Sequence, residues 1–309
     1  MRSTLVHRPD GPSARGAARA TDRLVALALR EDRATQDRTT RALFPARRAA
    51  VAYVIAQRGG VISGLRAAAR IGRGKGLRIR ALVRDGATVR SGLRVLELRG
   101  DLRTILGVER TVLNFLMHLS GVATSTRSAV RAGRGSFEVF GTRKTLPGLR
   151  DLEKEAIVHG GGRPHRHDLA SGILVKTNHL AFVPIGTAIA RIRRAYGDRW
   201  PIEVEVRTAR EARAAVKAGA DALLVDNASP ARARAIIRAA RGPIRKRRRL
   251  WVEISGGLST ATLPRYRAVG ADAASLGELT HSARALPFHL RFVPPRTSGA
   301  RTALAHRRR

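Results

Sequence analysis

The residues able to do chemistry are spaced along the second half of the chain, each at the end of a short apolar run. FEVF (137–140) leads into Gly141-Thr142-Arg143-Lys144-Thr145, ILV (173–175) into Lys176, and IEV (202–204) into Glu205. ALLV (222–225) leads into Asp226-Asn227, WVEI (251–254) into Ser255-Gly256-Gly257, and AASL (273–276) into Gly277. Arg143, Lys144, His165, Arg166 and Lys176 form a cationic set suited to an anion with several carboxylates or phosphates. Arginine would hold such groups in bidentate geometry, and lysine as a point charge. Ser255-Gly256-Gly257 is expected to open a helix whose backbone N–H groups take a phosphate. Gly277, ahead of Thr280-His281-Ser282, repeats the device one strand later. Glu205 and Asp226 could hold Mg²⁺ together with ribose hydroxyls, or stabilise a cationic sugar in a transition state. The set reads as an enzyme site for a phosphorylated sugar and a second, strongly anionic molecule.

Such residues converge only if the apolar runs are neighbouring parallel strands. Strands are expected at 137–140, 173–176, 202–206, 222–225, 250–254 and 273–276. Helical patterns lie between them at 148–158, 180–195, 208–218, 230–241 and 259–269. Asn227-Ala228-Ser229-Pro230 supplies a cap and a helix-starting proline, and Ser259-Thr260 marks the next helix start. Strand and helix in alternation predict a parallel α/β fold, and in a barrel of this type the functional residues sit at the C-terminal strand ends. Glu153 and Glu155 read as solvated helix positions; His179 and His281 could serve either the site or the scaffold.

Upstream, a helix is expected from Thr21, with Leu24, Val25, Ala28 and Leu29 on one face. Residues 50–100 read as short strands separated by Gly59-Gly60, Asp85-Gly86 and Ser91-Gly92, and residues 103–130 as a long helix. The segment IGRGKG (71–76) reads as a surface turn, since no strand–helix pair frames it as a phosphate loop.

The chain has 309 residues, 60 Lys+Arg against 23 Asp+Glu, a formal charge of +37, and no cysteine. The last fact excludes a disulfide scaffold, a thiolate zinc site and a cysteine nucleophile. No apolar run has the length of a membrane span, so a cytoplasmic protein without a membrane partner is expected. The charge invites nucleic acid, but the arginines are scattered and aromatics are only 4%, leaving few rings for bases to stack on. A surface bias is therefore the expectation. Arg245-Lys246-Arg247-Arg248-Arg249 and Arg307-Arg308-Arg309 are the densest basic patches.

Several longer motifs occur in one order. They are Glu109-Arg-Thr-Val-Leu-Asn-Phe115, Leu119-Ser-Gly-Val-Ala-Thr124, Thr142-Arg-Lys-Thr-Leu-Pro-Gly-Leu-Arg150 and Gly160-Gly-Gly162 with His165-Arg166. Lys176 with Asn178-His179, Glu203-Val-Glu205, Asp226-Asn227 and Ser255-Gly-Gly257 follow. Together they resemble the quinolinate phosphoribosyltransferase family from about Leu24 to Phe292. The resemblance implies an N-terminal α/β sandwich domain and a C-terminal incomplete, seven-stranded α/β barrel. With Pro9, Gly11, Pro12 and Gly16 marking residues 1–20 as a disordered basic tail, the sandwich is expected at 21–125, the barrel at 126–288 and a basic C-terminal tail at 289–309. The resemblance implies transfer of phosphoribosyl from phosphoribosyl pyrophosphate to quinolinate, with Mg²⁺ and loss of CO₂, in NAD biosynthesis. It also implies a homodimer or larger homo-oligomer in which Arg110 reaches into the partner's site and binds quinolinate.

By the same resemblance Thr142, Arg143, His165 and Arg166 would line the quinolinate pocket, and Lys144 and Lys176 would neutralise carboxylate and pyrophosphate. Glu205 and Asp226 would bind ribose and Mg²⁺; Ser255, Gly256, Gly257 and Gly277 would hold the 5-phosphate. Lys144, Lys176, Glu205 and Asp226 are the expected catalytic residues. Three positions depart from the family pattern: Gly141 and Thr177 stand where many members have Asp, and Pro164 where many have Asn. The competing readings are a paralogue of the same fold with another acceptor, of the molybdenum-transport-associated type, and a non-enzymatic basic nucleic-acid-binding module.

Overall fold

A computed structural model describes residues 14–73, 75–242 and 250–293. The first part runs α1 (Ala14–Glu31), α2 (Arg38–Leu43), β1 (Ala49–Ala56), β2 (Gly60–Val61), α3 (Leu65–Ile71), β3 (Arg78–Ala81), β4 (Thr88–Val89) and β5 (Arg94–Asp101). The long α4 (Leu102–Gly133) leads to β6 (Glu138–Gly141), α5 (Arg150–His159), β7 (Arg163–Pro164), β8 (Ile173–Val175), α6 (Thr177–Leu180) and α7 (Ile185–Tyr196). Then come β9 (Ile202–Val206), α8 (Ala209–Lys217), β10 (Ala222–Asp226), α9 (Pro230–Arg241), β11 (Trp251–Ser255), β12 (Ala273–Leu276), α10 (Glu278–His281) and β13 (Phe288–Phe292).

Two main sheets result. β13-β1-β5-β3 is antiparallel, and its core is built from residues such as Ala52, Val54, Leu96 and Leu98 with one face of α4. The other, β7-β6-β12-β11-β10-β9-β8, is a seven-stranded parallel sheet. Its first and last strands in spatial order, β7 and β8, do not pair, so the barrel is incomplete. The six expected barrel strands are all present, and β7 is a seventh that two residues were too few to announce.

Pro164 occupies that edge strand, opposite Gly141, where a missing N–H leaves no ladder bond unmade. Gly141 has a packing reason. A Cβ there would stand 2.2 Å from Ile157 Cδ1, so α5 occupies the space a side chain would need.

Three expectations are corrected. Residues 14–20, assigned to a disordered tail, begin α1, because alanine and arginine favour helix. Residues 1–13, 243–249 and 294–309, with both densest basic patches, lie outside the described residues. Residues 289–292, assigned to the C-terminal tail, are in β13, which returns to pair with β1 and so belongs to the first sheet. The expected helix over 259–269 is only a 3₁₀ turn at Leu263–Tyr266. There Ser259 and Thr262 bond each other's backbone N–H groups at 3.2 and 2.9 Å, a local alternative to the helix ladder. The single helix α4 spans the boundary expected at 125/126 and joins the two parts.

Candidate active site

Side chains alternate across a strand, so every second residue of the parallel sheet faces the barrel axis. Leu174 and Lys176, Glu203 and Glu205, Leu224 and Asp226, Glu253 and Ser255, and Ser275 and Gly277 are such pairs. Their outer members meet at the C-terminal edge, in a cleft of about 760 Å³. Thr142, Arg143, Lys144, His165, Arg166, Lys176, Glu205, Asp226, Ser255, Gly256, Gly257 and Gly277 all line it. Arg110 does not. It is exposed on α4, beside a second cavity of about 500 Å³ shared with Glu31, Asp32, Asn114 and His118.

Lys144 is held by its backbone, whereas Arg166 is anchored by its guanidinium, whose Nη1 donates to Gly172 O at 3.2 Å. Thr142 Oγ1 accepts from Lys144 N at 3.1 Å, and Lys144 O accepts from Thr280 Oγ1 at 2.8 Å. Arg143 Nε is buried with no hydrogen-bond partner among the described residues. Gly277 leaves room for its neighbours: a Cβ there would stand 2.8 Å from Lys144 Cδ and 2.9 Å from His281 Nε2, displacing both side chains. Gly256 must be glycine twice over: its φ is +81°, and a Cβ would sit 2.6 Å from the Asn227 amide. The Ser255–Gly257 turn therefore presents bare backbone to the cleft, although no α-helix follows it, contrary to expectation. Gly277 does cap a helix, the single turn of α10.

The two carboxylates are tied down individually. Glu205 is buried, and its Oε1 accepts from Thr177 Oγ1 at 2.8 Å and Thr177 N at 3.4 Å. Thr177, where family members often carry Asp, thus works as a donor to Glu205. Asp226 Oδ2 accepts from Arg207 Nε at 3.2 Å, Arg207 Nη2 at 3.0 Å and Asn227 Nδ2 at 3.0 Å.

Beneath the cleft lies a buried acid pair that sequence reading did not nominate. Glu203 and Glu253 are fully buried on β9 and β11, and His165 Nε2 stands 3.7 and 3.5 Å from their carboxylates. The ligand atoms of these three residues lie within 4.8 Å of one another. Burial and the neighbouring Glu253 push the Glu203 carboxyl well above its ordinary range, with Arg166 opposing. His165 Nδ1 accepts from Arg166 N at 2.8 Å, so both ring nitrogens face the protein. Lys154 Nζ donates to His165 O at 2.8 Å; burial, reinforced by Arg150 and Arg143, lowers its pKa to about 8. Only strand parity could have revealed Glu203 and Glu253, since both follow an inward-facing rule that also places Glu205.

Glu153 overturns its expectation as a solvated residue. It is fully buried, bonded to His118 Nε2 at 2.7 Å and Leu146 N at 3.3 Å. Glu155 is half-buried and paired with Arg66. His179 is scaffold: its Nδ1 accepts from Lys176 N at 2.9 Å and shapes the lysine's turn. His281 lines the cleft.

A parallel half-barrel with phosphate-compatible turns after its last two strands in chain order places the chain among the phosphate-binding α/β barrels. Comparison with known proteins narrows this. The quinolinate phosphoribosyl transferase N-terminal domain matches residues 37–120 and its C-terminal domain residues 122–291. The chain belongs to the quinolinate phosphoribosyl transferase family. It is 37% identical over 268 residues to a protein of Methanothermobacter thermautotrophicus named "Probable nicotinate-nucleotide pyrophosphorylase (carboxylating)", covering 85% of this chain and 95% of that protein. The Mycobacterium leprae nicotinate-nucleotide pyrophosphorylase (carboxylating) is 37% identical over 271 residues, covering 85% of this chain and 94% of that protein. The crystal structure of NadC from Streptococcus pyogenes superposes with a TM-score of 0.81 at 36% identity, covering 88% of this chain and 97% of that one.

Proposed function

We propose that this chain transfers phosphoribosyl from phosphoribosyl pyrophosphate to quinolinate with loss of CO₂, giving nicotinate mononucleotide and pyrophosphate for NAD biosynthesis. The observation that carries this reading is one cleft joining Arg143, Lys144, Arg166 and Lys176 to Glu205, Asp226 and two bare glycine turns. Quinolinate brings two carboxylates and the sugar a phosphate and a pyrophosphate, so both substrates need cations. The breaking C1–pyrophosphate bond leaves positive charge on the ribose, which needs the carboxylates.

In this reading Arg143, whose Nε has no partner among the described residues, and Arg166 grip the quinolinate carboxylates while Lys144 and Lys176 receive charge leaving with pyrophosphate. The ring nitrogen bonds C1 of the ribose as the pyrophosphate oxygen departs. The now cationic ring accepts the electron pair of the C–CO₂ bond, and a proton takes the place of CO₂. The Ser255-Gly256-Gly257 turn and Gly277 hold the 5-phosphate. The chain's work is positioning and electrostatics.

Glu205 and Asp226 fit Mg²⁺ as far as they go. They are two oxygen donors on adjacent strands, and Mg²⁺ takes its remaining ligands from water and substrate phosphates. When bound it supplies charge neutralisation for pyrophosphate. A cytoplasmic homodimer with Arg110 donated across the interface completes the proposal; no described helix is long and apolar enough to cross a membrane. Exposed Leu146, Leu169 and Phe182, on the loops after β6, β7 and β8, support a partner at this edge of the barrel.

The test is product formation from quinolinate, phosphoribosyl pyrophosphate and Mg²⁺, with nicotinic acid as parallel acceptor. Nicotinate mononucleotide from quinolinate alone is expected; none from folded protein would reject the reading. Mixing Arg110→Ala with Lys144→Ala chains tests the shared site. Each alone should be inactive, and after subunit exchange about a quarter of the activity should return, because half the dimers carry one intact site.

A further inference from the structure

Arg207 is the feature of this region that neither the motifs nor the substrate reading use. It follows β9 by one residue, and the register Val206↔Val225 sets it abreast of Asp226. Its backbone is pinned on both sides: Arg207 N donates to Glu211 Oε2 at 2.7 Å, and Arg207 O accepts from Arg232 Nη2 at 3.1 Å. The guanidinium is thereby delivered to Asp226 Oδ2 through two donors, while the side chain stays half-exposed. Arg207 does not line the cleft. It grips the carboxylate from the flank, and Asn227 Nδ2 takes the same oxygen.

We propose that Arg207 is a built-in competitor of the divalent cation at Asp226. A carboxylate already shared by a guanidinium and an amide carries less charge toward the cleft. The cleft itself is crowded with Arg143, Lys144, Arg166 and Lys176, so a free divalent cation meets repulsion from several sides. Metal then binds weakly by itself and well only together with the multiply charged pyrophosphate of its substrate. Arg207 thus favours a metal–substrate complex over free metal. Arg207 is a positioning residue, acting through Asp226. The inference rests on the reading of Asp226 as a metal and ribose carboxylate.

The test is Mn²⁺ binding to the intact protein without substrate, followed by the loss of the free Mn²⁺ electron paramagnetic resonance signal. Arg207→Gln should bind Mn²⁺ roughly five- to tenfold more tightly than the wild type, the scale of removing one half-exposed ion pair and one like charge. Arg207→Lys, which keeps the charge, should restore weak binding. The double variant Arg207→Gln/Asp226→Asn should lose the gain. A residue that merely braced the loop would move affinity the other way, since a disordered carboxylate binds metal less well. Unchanged or weaker Mn²⁺ binding in Arg207→Gln, or a gain that survives Asp226→Asn, would overturn the proposal. Failure of the substrate reading is seen separately, as a wild-type protein that makes no nicotinate mononucleotide.

Discussion

The antiparallel and parallel sheets use buried positions differently. In the first, Ala52, Val54, Leu96 and Leu98 fill the inner face, and the buried acid Glu97 lies on the other face. There Tyr53 and Arg80 bond Glu97 at 3.1 and 3.3 Å. In the second, the outer face is just as apolar, with Val204, Leu223, Val252 and Ala274 fully buried. The inner face instead carries Glu203, Glu253 and Glu205, with His165 and Arg166 alongside, above a small apolar floor of Phe140, Ala222, Trp251 and Ala273. Buried charge weakens a fold unless it is paired and hydrogen-bonded. The floor of the same barrel is filled with apolar side chains, so the polar layer above it serves the cleft.

If the contrast holds, cleft substitutions should change turnover and leave melting alone, and sandwich substitutions should do the reverse. The largest effect is expected from Lys176→Ala. It should lower kcat/KM by about 10³-fold, near 4 kcal/mol of transition-state stabilisation. The exposed side chain makes its melting temperature nearly that of the wild type. Leu98→Ala is the converse. Emptying a fully buried position should cost about 2–5 kcal/mol in denaturant unfolding, with KM for both substrates unchanged in the protein that remains folded.

Thr177→Val removes the hydroxyl that bonds Glu205 and keeps the shape. We expect about a tenfold fall in kcat/KM, the loss of one hydrogen bond to a charged group. Activity recovered by Thr177→Ser would separate this bond from packing. The smallest effect is thermodynamic. Because the folded pKa of Glu203 is raised, the unfolded state loses this proton first, and stability falls as pH rises from about 4.5 toward the folded pKa. Glu203→Gln removes that penalty and the repulsion from Glu253. It should melt roughly 2–4 °C above the wild type at neutral pH, with the gap closing as pH falls toward 4.5. A variant that melts lower at neutral pH would show that the acid pair stabilises the barrel.

Much of the site was legible because chemistry and period coincide. Each of the six apolar runs ends on its functional residue, and a parallel sheet brings such ends to one edge. Pro164, Gly141 and Thr177 looked like departures in the sequence alone. In three dimensions each has a partner or a reason: a sheet edge, the Ile157 side chain and the Glu205 carboxylate. Glu153 was misread because the helical pattern of α5 marks a polar face without saying what packs on it. There it meets His118 on α4.

Sequence determined the order of strands and helices, the apolar alternation, and the residue types waiting at the strand ends. These are local properties, set by neighbours one to four residues away. Only tertiary structure decided that β13 returns to the first sheet, that Arg110 lies apart from the other site residues within one chain, and that Arg207 rather than solvent holds Asp226. Each of these depends on which distant backbone lies alongside, and a pattern of neighbouring residues does not encode that register directly.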